Sequence, residues 1–251
     1  MTTDPKPIDL KSEETKRPDV KELPDVYAEE PMEDVGFWAS LEALLKRPGR
    51  VLFALRNGAS FGVAGSLALI AVVCLAVYGV VAGSLSGGVQ LWAAPVKIVL
   101  GTAVASLICL PSLYVFLCLG GFDARVKEVF GALIAMVSLS AVMLIGLAPV
   151  AWVFSQSTDS VALMAVMHLV FWGVAVGLGA RLLSRFLGRR GGSARLKGWL
   201  AIYLLVCVQM MTSLRPIVGT ADTLLPTEKR FFIQHFFEVL DGEGERVVSS
   251  E

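Results

Sequence analysis

Five runs of about twenty mostly apolar residues, at 61–83, 98–121, 131–154, 161–180 and 199–218, constrain this chain more than any other feature. A helix rises ~1.5 Å per residue, so each run reaches across a hydrocarbon layer of ~30 Å. There every backbone N–H and C=O must pair within the segment, which leaves the helix as the solution for a run of this length. The expected fold class is therefore all-α: a polytopic membrane protein with five transmembrane helices and flanking amphipathic helices. The fifth run has the shortest apolar core, Trp199 to Leu214, and completes a crossing only by including Arg215, Pro216, Ile217 and Val218. Arg215 can snorkel to the interface.

Apolar residues make up 55% of the chain, above the roughly 45–50% of a soluble domain. The balanced formal charge, 22 bases against 22 acids, conceals a segregation: residues 1–36 hold eleven acids and five bases, and residues 181–197 hold six bases and no acid. Four regions follow. Residues 1–36, with five prolines and almost no periodic apolar residues, are expected to be a disordered acidic cytosolic tail, either a solvated spacer or a docking arm for a basic partner. Residues 37–57 place Phe37, Trp38, Leu41, Leu44 and Leu45 on one helical face, followed by Lys46, Arg47, Arg50 and Arg56, with Pro48-Gly49 as a break. Such a helix lies in the membrane interface with its bases near lipid phosphates, or packs against the ends of the bundle. Residues 58–219 form the five-helix domain, and 220–251 a polar tail with a short amphipathic helix around Phe231 to Leu240.

Orientation follows from the loops. Lys46, Arg47, Arg50 and Arg56 precede the first run, Arg125 and Lys127 lie between the second and third, and Arg181, Arg185, Arg189, Arg190, Arg195 and Lys197 follow the fourth. On the other side stand Lys97, Arg215, Lys229 and Arg230. Twelve bases against four predict a cytosolic amino terminus and, after five crossings, a carboxyl terminus outside. No signal peptide is visible, so the first run is expected to serve as an uncleaved targeting signal. Arg185, Arg189, Arg190, Arg195 and Lys197 are candidate contacts for anionic lipid, although setting topology alone would account for them.

Within the runs no Asp or Glu occurs, which argues against a proton-coupled carrier. His168, Gln209 and Arg215 are the candidate intramembrane polar site; if they converge, they offer an anion or head-group pocket. Hydroxyls such as Ser106, Ser112, Ser138 and Ser140 complete the inventory. Gly79, Gly83 and Gly87, and again Gly173 and Gly177, recur at every fourth position, the spacing that lets helices approach closely. Pro111 and Pro149 are expected to kink their helices, either for packing or as hinges lining a site.

Enzyme signatures fail. Cys74, Cys109, Cys118 and Cys207 lie in the runs without a C-x-x-C, and two histidines with no H-E-x-x-H exclude the common zinc-protease motif. Gly120-Gly121-Phe122-Asp123 is similar to the glycine-rich aspartate motif of intramembrane aspartyl proteases, but no second membrane aspartate accompanies it; Asp123 reads better as a helix cap. No G-x-S-x-G or phosphate-binding loop occurs. No catalytic residue, metal or cofactor is expected.

The order of parts, an acidic tail, the segment L-L-K-R-P-G-R-V-L-F from Leu44 to Phe53, then five apolar runs, resembles the Ypt-interacting-protein family of membrane-traffic proteins and its bacterial relatives. The stretches from Cys109 to Tyr114 and from Gln209 to Gly219 are similar to elements of uncharacterised bacterial inner-membrane proteins. These resemblances imply a scaffold or adaptor without catalytic residues. The expectation is thus an integral protein of a bacterial inner membrane that acts as scaffold or accessory subunit. Its partners are membrane lipids and a membrane protein or a second copy of itself, with no nucleic acid. A transporter or channel subunit with a path lined by the kinked second and third helices is the alternative.

Overall fold

A computed structural model of the protein describes residues 36–56, 60–84, 90–119, 125–157, 161–187 and 193–213. The acidic tail ahead of residue 36 and the carboxyl-terminal amphipathic block lie outside them. Seven helices make up the described residues: α1 (Phe37–Lys46), α2 (Pro48–Arg56), α3 (Ser60–Ser84), α4 (Gln90–Leu119), α5 (Val126–Ser157), α6 (Val161–Leu187) and α7 (Ser193–Ser213). Four of them, α3 to α6, are long and apolar enough to cross a membrane, whereas α7 is apolar over the shorter stretch Leu196–Met210.

Exposed side chains identify the surface that would meet lipid. Leu69, Val72, Val73, Val77 and Val80 form a stripe on α3, and Leu163, Val166, Leu169, Val170 and Val174 form another on α6. Apolar faces of this extent are not carried by a protein surrounded by water. Exposed aromatics gather near the helix ends: Trp38 and Phe61 at one end, Trp92 and Trp152 at the other. On α5, exposed Phe130 and Trp152 are separated by about 33 Å at ~1.5 Å per residue, the spacing expected of two interfacial belts.

The helices alternate in direction. Gly79 of α3 lies against Pro95 of α4, Gly179 of α6 against Met136 and Ser140 of α5, and Trp199 of α7 reaches Ser112 of α4. The main contacts run α6 to α5, α5 to α3, α3 to α4 and α4 to α7, with a smaller contact between α6 and α7. Helices α3 and α5 run parallel, and the Ser138 hydroxyl donates to the Leu67 carbonyl across their interface at 2.7 Å. Around this bond Leu67, Ile70, Leu133 and Met136 are fully buried.

Close approach does not follow the glycine spacing uniformly. A Cβ on Gly79 would lie 2.5 Å from the Pro95 Cα, so this glycine is required by the neighbouring backbone. Gly173 and Gly177, with the same spacing, have nothing within 4 Å of the equivalent position. The expected second ridge is therefore not a contact among the described residues, and the α6 glycine that does pack closely is Gly179. Gly87 lies outside the described residues.

The segment 37–57 divides at the expected break into two helices. Arg47 leaves helical geometry at φ −139° and ψ 64°, and Pro48, whose missing N–H costs nothing in a first turn, opens α2. Both pack on the beginnings of α3 and α5: Leu44, Val51 and Leu55 are buried, and Leu55 lies over Gly131. The apolar face of α1 is wider than this contact. Phe37, Leu41 and Leu44 pack against the core, while Trp38 and Leu45 turn outward and remain exposed. Bundle packing and an interfacial surface thus occupy different sides of one helix. Near the exposed end, Lys46 bonds Glu42 at 2.9 Å and holds its carboxyl below the usual range.

Helices α4, α5 and α7 begin five to eight residues earlier than the apolar runs indicate. Helix α5 starts at Val126 and takes in Lys127 and Glu128. Helix α4 starts at Gln90, because Leu91 to Val96 extend its apolar face, and this places Lys97 inside the helix instead of in a loop. Asp123 lies outside the described residues; the Arg125 carbonyl accepts the Glu128 and Val129 N–H groups at the start of α5.

Gly79→Ala should force α3 and α4 apart and lower stability by ~1–3 kcal/mol, as overpacking of a tight contact does. Gly173→Ala should leave stability unchanged or slightly raised. Denaturation of both variants in the same detergent measures the difference.

Candidate functional site

The polar groups of the bundle fall into three places. The first joins α3 to α6 near the end where α3 finishes. Tyr78, buried at 1% exposure, brings its hydroxyl within 2.7 Å of His168 Nδ1, with the rings edge to face at 5.7 Å. The bond has two forms. If Tyr78 donates, the ring proton sits on Nε2; if Nδ1–H donates, Nε2 is a bare acceptor. In both forms Nε2 is buried and has no hydrogen-bond partner among the described residues. The sequence pointed to His168 because it is a rare polar residue in an apolar run; nothing in the sequence pointed to Tyr78, because an aromatic residue in such a run is ordinary.

Of the candidate trio His168, Gln209 and Arg215, the structure places the first two. His168 is joined to Tyr78, Gln209 is half-buried on α7, and Arg215 lies outside the described residues. Sequence reasoning also missed Lys97, which is 6% exposed within α4, in the same half of the bundle as Tyr78 and His168. Its position beside a polar connection made it look like a loop residue. Its aliphatic stem matches the apolar face on which it lies.

The second place is the seam between α4 and α7. Trp199 Nε1 donates to Ser112 Oγ at 3.1 Å and to the Cys109 carbonyl at 3.3 Å, Tyr203 and Ser106 hydroxyls meet at 3.1 Å, and Trp199 stacks on Tyr203. Trp199 and Tyr203 are almost wholly buried, so their polar atoms require these partners. The Thr102, Ser106, Ser138 and Ser140 hydroxyls likewise donate to backbone carbonyls at 2.7–2.9 Å. They are satisfied inside the packing and do not converge on a common face. Pro111 and Pro149, placed as possible linings, are exposed on the outer side of continuous helices.

The third place is the end of the bundle where α3, α5 and α7 begin and α4 and α6 finish. The up-and-down order brings together bases far apart in sequence: Lys46, Arg47, Arg50 and Arg56 on and beside α1 and α2, Arg125 and Lys127 at α5, Arg181 and Arg185 on α6, and Arg195 and Lys197 on α7. Among the described residues, ten bases face two acids at this end, Glu42 and Glu128, whereas Lys97 is the single charged residue in the opposite half. Lys127 Nζ lies 5.7 Å from the centre of the exposed Phe61 ring, a base beside an interfacial aromatic. Of the candidate lipid contacts, Arg185 and Lys197 are exposed here; the Arg195 backbone belongs to α7, and Arg189 and Arg190 lie outside the described residues.

Neither a family model, nor a curated protein, nor a solved structure matches the chain. Among the described residues no group of three or more Cys, His, Asp or Glu side chains is placed to hold a metal.

Tyr78→Phe should cost ~1–3 kcal/mol, the penalty for leaving a buried polar group without its partner. Tyr78→Phe combined with His168→Leu should recover part of the loss. A double-mutant cycle of detergent unfolding curves measures this coupling.

Proposed function

We propose that this protein is an integral membrane scaffold or accessory subunit that works by holding proteins and lipids in the bilayer. The observation that carries the reading is the disposition of its polar groups. The Thr102, Ser106, Ser138 and Ser140 hydroxyls and the Trp199 indole are bonded within helix packing, while exposed bases collect at one end beside Trp38 and Phe61. A conduction path requires a run of polar atoms facing a common space; a scaffold requires apolar packing and recognition surfaces at its ends. The resemblance of Leu44 to Phe53 and of the order of parts to the Ypt-interacting proteins points the same way.

The placement that goes with this function is a bacterial inner membrane, with the basic end and the amino terminus on the cytosolic side. The positive-inside bias supports that orientation. Helix α7 is the fifth crossing in this reading: its apolar stretch Leu196–Met210 spans about 22 Å at ~1.5 Å per residue, and the apolar run of the sequence continues beyond it to Val218. Its docking on α4 through Trp199 and Tyr203 gives it the place of a bundle member. The carboxyl terminus is then outside. The basic end holds anionic headgroups at ~1 kcal/mol per base near a charged surface.

The buried Lys97 favours a second reading, a transporter or channel subunit, because an ionisable group inside a membrane helix commonly marks a pathway. Affinity purification of the tagged protein in mild detergent, with mass spectrometry of what accompanies it, separates the two. A partner at fixed stoichiometry supports the accessory role; the protein alone with a tightly held solute overturns it in favour of transport.

Arg185→Glu combined with Lys197→Glu should lower co-purifying phosphatidylglycerol several-fold at low salt, and the difference should shrink at 500 mM salt as charges are screened. Lipid extraction and quantitation from the purified variants measure this.

A further inference from the structure

The first described helix, α1, belongs to the basic end of the bundle. Helix α1 begins at Phe37 and packs, with α2, on the starts of α3 and α5, so the chain ahead of it emerges among the bases of that end. The densest part of the tail is immediately ahead: between Glu22 and Asp34 there are six acids and no base. Opposite charge, proximity and sufficient reach coincide. The fifteen residues from Glu22 to Gly36 have a random-coil reach of about 20 Å in root-mean-square terms, comparable to the ~15 Å length of α1. Tethering supplies an effective concentration on the order of millimolar.

We propose that the segment Glu22 to Asp34 folds over the basic end of its own bundle and competes there with anionic lipid headgroups, so that the tail regulates which of the two the bases hold. The regulation rests on the reading of the basic end as a lipid surface; the docking itself does not. The segment lies outside the described residues, and charge complementarity selects it as the occupant. A solvated spacer has no need to concentrate six acids beside the end that bears ten of the described bases. The contact is electrostatic and screened over ~8 Å at physiological salt, which makes it reversible and responsive to the surface charge of the membrane. Exposed Lys46, Lys127 and Lys197 are the bases that report it, since their amines can be coupled chemically to carboxylates.

Zero-length carbodiimide cross-linking of the full-length protein in nanodiscs, followed by peptide mass spectrometry, tests the docking. The Glu42–Lys46 pair, 2.9 Å apart, is the internal positive control. In phosphatidylcholine at low salt, amide links are expected from acids of residues 22–34 to Lys127 or Lys197, and at least a three-fold loss of these links with 30% phosphatidylglycerol or 500 mM salt. Links to Glu42 alone, or tail links that neither condition weakens, overturn the proposal. The competition is tested with a full-length variant whose six acids are replaced by Asn or Gln. Several-fold more retained phosphatidylglycerol than in the unaltered protein supports it. Unchanged retention, in a protein whose retention still falls in the Arg185→Glu, Lys197→Glu variant, overturns the competition and leaves the lipid surface standing. Retention that responds to neither change overturns both the competition and the lipid surface, and the cross-links then report docking alone.

Discussion

The bundle depends on α3 and α5 lying close enough for one serine to bond the other helix's backbone. Two apolar helices in lipid gain little from the hydrophobic effect, because lipid tails are as apolar as their side chains; association must come from close packing and from hydrogen bonds. Ser138 supplies both requirements. Its small side chain permits the approach, and its hydroxyl bonds the Leu67 carbonyl as well as the Ile134 carbonyl of its own helix. The other contacts are arranged around this pair. Helix α4 seats Pro95 on Gly79, α6 seats Gly179 on Met136 and Ser140, and α2 lays Leu55 on Gly131. Gly79 and Gly179 meet neighbouring backbone, which has nowhere to move, whereas Gly131 meets the movable end of Leu55, so steric fit at the first two junctions helps to set the order of helices.

The distribution of polar groups follows from the same constraint. In hydrocarbon a hydroxyl without a partner is costly, and a helix offers carbonyls three and four residues back. Ser84, Thr102, Ser106, Ser112, Ser138 and Ser140 use those carbonyls. They satisfy themselves locally and add cross-helix bonds where a neighbour is near. Such groups stabilise without demanding water. His168 is different: its ring has two nitrogens at opposite sides, and Tyr78 can occupy one of them. That Nε2 has no partner among the described residues is a consequence of placing a two-sided polar group against a one-sided partner.

Helix existence was legible in the sequence, because a twenty-residue apolar run is a signal that tertiary packing cannot easily override. Helix limits were less legible for a physical reason. A run is read as ending at the first charge, yet Lys97 lies inside α4 and Lys127 and Glu128 inside α5, since the helix continues while its backbone bonds are satisfied. The glycine spacing shows the same limit from another side. It marks a face able to approach a neighbour and does not say whether one is there: Gly79 has one, Gly173 and Gly177 do not. Among the candidate site residues, His168 was visible as a rarity, but its bond to Tyr78 joins positions ninety residues apart and required the fold.

Charge placement connects the fold to the proposed function. Bases at three separated points in the chain become one surface because the helices alternate in direction, and they would do so with any short connections. What is particular to this chain is the addition of α1 and α2, which carry further bases onto the ends of α3 and α5. Bases needed for orientation alone would require no such platform, since the loops and helix ends already supply the bias. Burying Leu44, Val51 and Leu55 to fix two short helices against the bundle makes the charged end a shaped surface with exposed Trp38 at its edge. On such a fixed basic surface a lipid headgroup and a tethered carboxylate would compete for the same nitrogens, and only the headgroup is diluted by changing the membrane.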